Sequence, residues 1–113
     1  MNDALQGEVW FCEFEPSLGR EQAGRRPALV VSVDQLGAGP SGIAIVVPLT
    51  TTPSENPIRP AIESSEGGLQ TRSWALPDMV RSIDRSRLIK RWGRVSPSTL
   101  DAVAGRVQLL VRT

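Results

Sequence analysis

Short apolar runs separated by glycine- and proline-containing segments fill the chain as far as Val95. Residues 7–14, GEVWFCEF, form an aromatic-rich run that predicts a first strand. Residues 27–33, PALVVSV, are almost continuously apolar and β-branched, which is typical of a strand covered on both faces. After a turn at GAGPSG, residues 43–49, IAIVVPL, return as its partner. The pattern therefore predicts a central antiparallel pair formed by the second and third runs.

Weaker signals follow the third run. They predict a brief edge strand at Ala61–Glu63, a turn at Gly67 and Gly68, a strand at Arg72–Leu76, a short helix or turn at Asp84–Arg91 and a last strand at Trp92–Val95. Ser96 and Pro97 are a strong helix start. Apolar residues then recur at three- and four-residue spacing, at Leu100, Val103, Ala104, Val107, Leu110 and Val111. We predict a mostly β fold whose C-terminal amphipathic helix packs its apolar stripe on the sheet.

Composition narrows the classes of protein that fit this pattern. The 113 residues are 40% hydrophobic and show no repeat or interior linker, so we expect one domain over residues 1–113. The single cysteine, Cys12, excludes an intramolecular disulfide and is expected to be a buried spectator. With one cysteine and no histidine, a zinc site of the usual type cannot be assembled, whereas carboxylate-bound magnesium stays open. The N-terminus resembles no leader and no run is long enough to span a membrane, so a soluble, cytoplasmic protein is expected.

Charge is balanced overall but uneven along the chain. The formal net charge is +1, which excludes a strongly basic protein and restricts any nucleic-acid binding to a local patch. All but one of the thirteen basic residues are arginines, and six basic residues fall between Arg81 and Arg94 against the single Asp84. Arginine is the better reader of phosphate, although base composition of the genome explains an arginine excess equally well.

The segment EPSLGREQAGRRPALVVS at residues 15–32 joins a charged, glycine-containing loop to the second strand. Because Arg26 precedes Pro27, its backbone is biased toward an extended conformation at the entrance to a buried strand. An arginine placed there can neutralise charge that develops on a phosphate, and the alternative is a surface arginine paired with Glu21. In a chain without histidine, acid–base chemistry near neutral pH must use carboxylates, hydroxyls or arginine.

Thr50, Thr51 and Thr52 follow the third strand directly, so their hydroxyls should emerge where strands end and sites form. Thr50 can donate to the same phosphate oxygens, and Glu21 can act as a general base if burial raises its pKa. The alternatives are a turn or capping threonine and a solvated ion pair. For Trp10, Trp74 and Trp92 core packing is the default, and stacking on bases is the alternative.

The succession of GEVWFCEFEPSLGREQAGRRPALVVS, IVVPLTT, PDMVRSIDRSRL and GRVSPSTLDAVAGRVQLLV resembles the MazF/PemK (Kid-like) family of toxin endoribonucleases over essentially the whole chain. The specific combination is EQ-x-G-x-RP with P-x-T. The resemblance implies an SH3-like β-barrel of the MazF/PemK/CcdB type with a C-terminal helix, a homodimer and a cognate antitoxin. It also implies sequence-specific cleavage of single-stranded mRNA without a metal or other cofactor, leaving 2′,3′-cyclic phosphate and 5′-hydroxyl ends.

The resemblance assigns roles residue by residue. It puts catalysis on Arg26, Thr50 and Glu21 and leaves open which residue is the general base or acid. The predicted RNA-binding residues are Arg20, Gln22, Arg25, Thr51, Asn56, Asp78 and Arg81. The chain departs from the family pattern at Met79, where glutamine is usual, and at Leu76, where the plasmid branch has a catalytic arginine.

Two further hypotheses come from other classes of protein. One is a non-enzymatic toxin of the same fold that binds DNA gyrase, and the other is an SH3-like adaptor that binds RNA or protein without cleaving it. For the nuclease, we expect the loops at Thr51–Pro60 and Gly37–Gly42 to frame the RNA groove. We expect the basic segment Arg81–Arg94 to receive an acidic, partly disordered antitoxin tail.

Overall fold

The computed structural model describes residues 1–14 and 24–112. Within those residues the chain forms seven strands and two α-helices. Their bounds are β1 Glu8–Glu13, β2 Arg25–Val30, α1 Asp34–Gly37, β3 Ile43–Thr50, β4 Ala61–Ile62, β5 Ser73–Ala75, β6 Arg81–Asp84, β7 Leu88–Arg94 and α2 Pro97–Val111. No helix in the described ranges is long and apolar enough to cross a membrane.

The strands form an antiparallel sheet in the order β4-β5-β3-β2-β1-β7, and β6 also pairs with β3. The predicted central pair is confirmed, with Ala28 opposite Pro48 and Val30 opposite Val46. The first strand, the edge strand and the strand near Arg72 are confirmed with slightly shifted ends. The prediction missed β6 and the short helix α1.

The predicted helix or turn at Asp84–Arg91 is correct only at its start. The Asp84 carboxylate accepts a hydrogen bond from Ser86 N at 2.9 Å and caps one 3-10 turn, Arg85–Arg87. The chain then enters β7 at Leu88, four residues before the strand predicted at Trp92. Leu88 and Lys90 pair with Cys12 and Phe11 on β1, and this tertiary pairing outweighs the local helical preference.

The two faces of β1, β2 and β3 belong to two different apolar clusters, which confirms for β2 the predicted cover on both faces. Trp10, Cys12, Phe14, Ala28, Val30, Ala44 and Val46 lie in one cluster. Val9, Leu29, Val47 and Leu49 lie in the other, which Val103 of α2 completes and against which Leu100 and Val107 pack. Because side chains alternate along a strand, every second residue enters the same cluster.

Helix α2 confirms the predicted helix start and most of the predicted stripe. Ser96 caps the helix by accepting a hydrogen bond from Thr99 N at 3.3 Å. The stripe does not extend to the end of the helix, since Leu110 is 45% exposed and Val111 is 71% exposed. The predicted packing of these two residues on the sheet is therefore wrong for the chain taken by itself.

Two buried side chains, the Cys12 thiol and the Arg85 guanidinium, have structural roles. Cys12 is fully buried, its Sγ donates to Trp10 O at 3.3 Å, and burial raises the pKa of the thiol to about 12. Arg85 is 5% exposed and donates to the carbonyls of Gly37 and Gly39 and to Asp3 Oδ1. It thereby ties the turn after β6 to the end of α1, so this residue of the basic segment 81–94 is not available to an antitoxin.

Candidate active site

The register of β2 and β3 brings the two residues of the predicted catalytic pair together. The ladder ends with Ala28 opposite Pro48. Two residues further along each strand, the same register puts Arg26 opposite Thr50, with both side chains on the sheet face to which Ala28 points. Thr50 is also fixed from its other side, where it pairs with Trp74 of β5. The two residues therefore meet at one end of the central strand pair.

A cavity of about 340 Å³ opens at this end of the sheet. We call it the Arg26 cavity, and its lining consists of Arg25, Arg26, Pro27, Leu49, Thr50, Thr51, Thr52 and Ser73. Its volume lies in the range of small-ligand sites, about 300–1,000 Å³. Two guanidinium groups and several hydroxyls thus face one depression, and within the described residues no carboxylate lines it.

Arg26 is half-buried between Cys12 on β1 and the end of β3. Its Nε atom is buried and has no hydrogen-bond partner among residues 1–14 and 24–112. A buried donor without a partner costs free energy, and such costs are tolerated where a bound group can use the donor. The position suits an oxyanion such as a phosphate.

Thr50 is half-buried, and its hydroxyl oxygen accepts a hydrogen bond from Thr52 N at 3.1 Å. This is the turn role that the sequence left open as an alternative. It does not exclude a second role, because a hydroxyl that accepts one hydrogen bond still has its own proton to donate. The turn fixes the oxygen, and the proton can be given to a ligand in the Arg26 cavity.

Arg25 is exposed and forms an ion pair with Glu13, with Nε and Oε1 separated by 3.0 Å. Its partner lies on β1 directly across the ladder. The Arg25 side chain is 65% exposed, so its guanidinium can also reach a phosphate in solution, whereas Glu13 is half-buried.

Among the residues predicted to bind RNA, Arg25 and Thr51 line the Arg26 cavity, whereas three others lie outside its lining. Asn56 turns back on its own loop and accepts from Ile58 N at 3.0 Å. Asp78 binds Arg59, and the Arg81 guanidinium lies 5.3 Å from the centre of the Phe14 ring. Glu21, predicted as a catalytic residue, and Arg20 and Gln22, predicted to bind RNA, fall outside the described residues.

The loop at Gly37–Gly42 does not line this cavity, and its place beside an RNA groove stays a prediction. It precedes Ile43, and Thr50 is at the opposite end of the same strand. Seven residue steps of about 3.3 Å separate the two ends by roughly 23 Å. The sequence also missed Ser73 and Leu49 as lining residues, whereas Thr52 lies in the lining as its place after the third strand suggested. Ser73 could have been found from the sequence, because alternation along the predicted strand RSWAL puts Ser73 and Ala75 on one face.

Asp78 has a structural partner that determines its ionisation. Arg59 Nε lies 3.0 Å from Oδ1 and Nη2 lies 2.6 Å from Oδ2, a two-point contact that ties the loop before β4 to the turn at Pro77–Met79. The Arg59 hydrogen bonds hold the pKa of the Asp78 carboxyl below its ordinary value. In the described part of the chain, no cluster of three or more histidine, cysteine, aspartate or glutamate residues is arranged to hold a metal ion.

A pH-dependent stability difference follows from this pair. A lowered folded-state pKa means that the Asp78 contribution is present above the ordinary aspartate pKa, about 4, and is lost as pH falls through the folded-state value. We expect Asp78→Asn to lower the free energy of unfolding by about 0.5–1 kcal/mol at neutral pH. Urea unfolding at neutral and strongly acidic pH measures this, and an equal loss at both pH values would contradict the assignment.

Comparison with known proteins adds the family context. A family model described as "PemK-like, MazF-like toxin of type II toxin-antitoxin system" matches residues 5–111. The chain is 34% identical over 100 residues to endoribonuclease MazF9 of Mycobacterium tuberculosis, covering 84% of this chain and 85% of the relative. The crystal structure of MazF from Deinococcus radiodurans superposes with a TM-score of 0.87 at 28% identity, covering 98% of each chain.

An endoribonuclease from Mycobacterial species, solved in complex with its cognate antitoxin, superposes with a TM-score of 0.72 at 25% identity. That match covers 96% of this chain and 93% of the other. The mostly β, SH3-like barrel with a C-terminal helix that the sequence predicted is confirmed by these structural neighbours.

Proposed function

The chain belongs to the PemK-like, MazF-like family of toxins of type II toxin–antitoxin systems, and we propose that it is a toxin that cleaves single-stranded RNA at specific sequences. Relatives that match most of the chain bear the name endoribonuclease, which favours cleavage over the gyrase-binding alternative. Cleavage of mRNA inhibits translation and growth. A toxin with this substrate acts in the cytoplasm.

One observation carries the proposal: Arg26 and Thr50 line the same cavity, although they are 24 positions apart in the sequence. A fixed cation and a hydroxyl donor at one depression are the groups that a crowded, negatively charged phosphorus centre needs. Both sit on paired strands, which hold them in place before substrate arrives.

The reaction is an internal transfer in which the RNA supplies its own nucleophile. The ribose 2′-hydroxyl loses its proton and attacks the adjacent phosphorus, the bond from phosphorus to the 5′-oxygen breaks, and that oxygen takes up a proton. The products are a 2′,3′-cyclic phosphate and a 5′-hydroxyl. Arg26 and Thr50 stabilise the five-coordinate phosphate by electrostatics and hydrogen bonding. Glu21 is the proposed base, and Arg26 assists proton transfer.

The proposed function implies RNA contacts beside the reacting phosphate and two protein partners, a second copy of the chain and an antitoxin. Arg25 and Thr51 hold the RNA beside the reacting phosphate, and Arg20, Gln22, Asn56, Asp78 and Arg81 are the further proposed contacts. The active form is a homodimer. A related endoribonuclease has been solved with its cognate antitoxin, which supports an antitoxin as a partner. We propose that this antitoxin inhibits the toxin by covering Arg26 with an acidic tail.

Incubation of the purified protein with a defined transcript in excess chelator tests the chemistry. We expect cutting to continue, with cyclic phosphate and 5′-hydroxyl ends at a short recurring sequence, because no step uses a metal. A DNA of the same sequence should stay intact because it lacks the 2′-hydroxyl. An absolute requirement for magnesium would contradict the mechanism, and gyrase inhibition without any RNA cleavage would favour the non-enzymatic alternative.

A further inference from the structure

A second cavity adjoins the Arg26 cavity along strand β7. Its volume is about 490 Å³, and we call it the β7 trough. Its lining consists of Pro27, Thr51, Gly68, Leu69, Gln70, Thr71, Ser73, Lys90, Arg91 and Trp92. Pro27, Thr51 and Ser73 line both cavities, so the two lie side by side.

The trough has a rigid floor. The turn at Glu66–Gly68 lies directly on β7, and a Cβ atom on Gly93 would stand 2.7 Å from the carbonyl carbon of Gly67. Gly68, with φ of 76°, approaches the carbonyl of Trp92 so closely that a Cβ would overlap it. The Trp92 ring stacks on Phe11 with centroids 5.3 Å apart. A preformed surface of this kind loses little entropy when a ligand binds.

The charge of the trough suits an anion. Arg91 Nε donates to the buried carboxylate of Glu8 at 2.5 Å, so part of its charge is already matched. Lys90 is exposed and has no ion pair within residues 1–14 and 24–112. Across the same residues, no carboxylate lines the trough. Lys90 is therefore the cation with unused charge at this position.

The opposite wall of the trough is polar. Gln70 and Thr71 are exposed, and the Gln70 amide offers both a donor and an acceptor. This combination of a cation, a hydrogen-bonding wall and the Trp92 side chain provides separate contacts for a phosphate and for a base. A volume of about 490 Å³ is sufficient for one such unit, since small-ligand sites run from about 300 to 1,000 Å³.

We propose that the β7 trough binds the nucleotide next to the scissile phosphodiester, with its phosphate on Lys90 and its base edge on Gln70. The proposal rests on the proposed RNA cleavage and adds a specificity-determining site to it. Residues of β5, β7 and the loop between β4 and β5 then take part in choosing the cut sequence, together with the loop that follows Thr50.

Two pairs of variants test the trough by binding of a short RNA that carries the cut sequence and a 2′-deoxy sugar at the scissile position. Gln70→Glu places a negative charge in the trough, and Gln108→Glu places the same charge on the exposed face of α2. Lys90→Ala removes a cation from the trough, and Arg112→Ala removes one at the exposed end of α2. Neither control residue lines the trough or the Arg26 cavity.

We expect Gln70→Glu to weaken binding about tenfold and Lys90→Ala to reduce the slope of log K against log salt by about 0.7, the value for one phosphate contact on a single strand. The two controls should match the parent protein. Trough variants indistinguishable from their controls would overturn the trough while leaving RNA cleavage by the parent intact. Failure of the parent protein to cleave any RNA would instead overturn the proposed function.

Discussion

Replacement of Arg26 by alanine is expected to reduce the rate of RNA cleavage by about 10³-fold, near the effect of removing a transition-state donor or an arginine that neutralises a transferring phosphate. The loss should appear in kcat, because the guanidinium acts on charge that exists only in the transition state. Single-turnover cleavage of a saturating RNA measures it. Folding should be preserved, since the buried Nε has no hydrogen-bond partner among the described residues.

Arg25→Ala is the matched control, since it removes a neighbouring arginine that is exposed and already paired with Glu13. We expect it to weaken RNA binding while leaving kcat within a few-fold of the parent value. Circular dichroism and the melting temperature establish that both variants are folded. Retained cutting by Arg26→Ala, or an equal loss of kcat in both variants, would remove Arg26 from the mechanism.

Replacement of Arg85 by alanine is expected to cause the largest loss of stability. The side chain is buried, and its removal leaves the Gly39 carbonyl without a donor, whereas the Gly37 carbonyl keeps the hydrogen bond from Ala4 N. An unpaired buried acceptor costs roughly 1–3 kcal/mol, and the charge-assisted hydrogen bond to Gly37 is lost as well, so we expect a loss of about 3 kcal/mol. For a domain of this size, that corresponds to a fall in the melting temperature of roughly 10 °C.

Arg87→Ala removes the same side chain from the same 3-10 turn without opening the contact to α1. We expect a loss of less than about 1 kcal/mol, as for most surface substitutions. Chemical unfolding of both variants measures the difference. If Arg85→Ala were as stable as Arg87→Ala, and instead failed to bind the antitoxin, Arg85 would belong to the predicted landing surface after all.

The central part of the fold could be predicted because one physical signal dominates there. Unbroken apolar runs need cover on both faces, and residues 27–33 and 43–49 pair as that signal requires. The prediction of a helix or turn for residues 84–91 failed because the local conformational preferences of this segment are weak. Asp84 caps a turn, but the pairing of Leu88 with Cys12 is a contact between residues distant in sequence, which local propensity does not report.

The candidate site was predictable only in part for a similar reason. Arg26 and Thr50 carry motif signals, and the strand register then brings them together. Lys90 and Gln70 belong to no such motif. Their position beside the Arg26 cavity depends on where a glycine turn lies against β7. Short sequence motifs identify the residues of the proposed reacting centre. The residues proposed to select the substrate are brought beside it by packing between segments that are distant in sequence, which a local motif does not report.

Cys12 has a consequence for experiments on this protein. Burial raises the pKa of the Cys12 thiol to about 12, so the reactive thiolate is scarce at pH 7, and the sulfur is fully enclosed. Peroxide and alkylating reagents should therefore leave the natural chain untouched. A cysteine introduced on the surface would then be the sole labelling position, so a fluorophore placed near the β7 trough can report RNA arrival without first removing the native thiol.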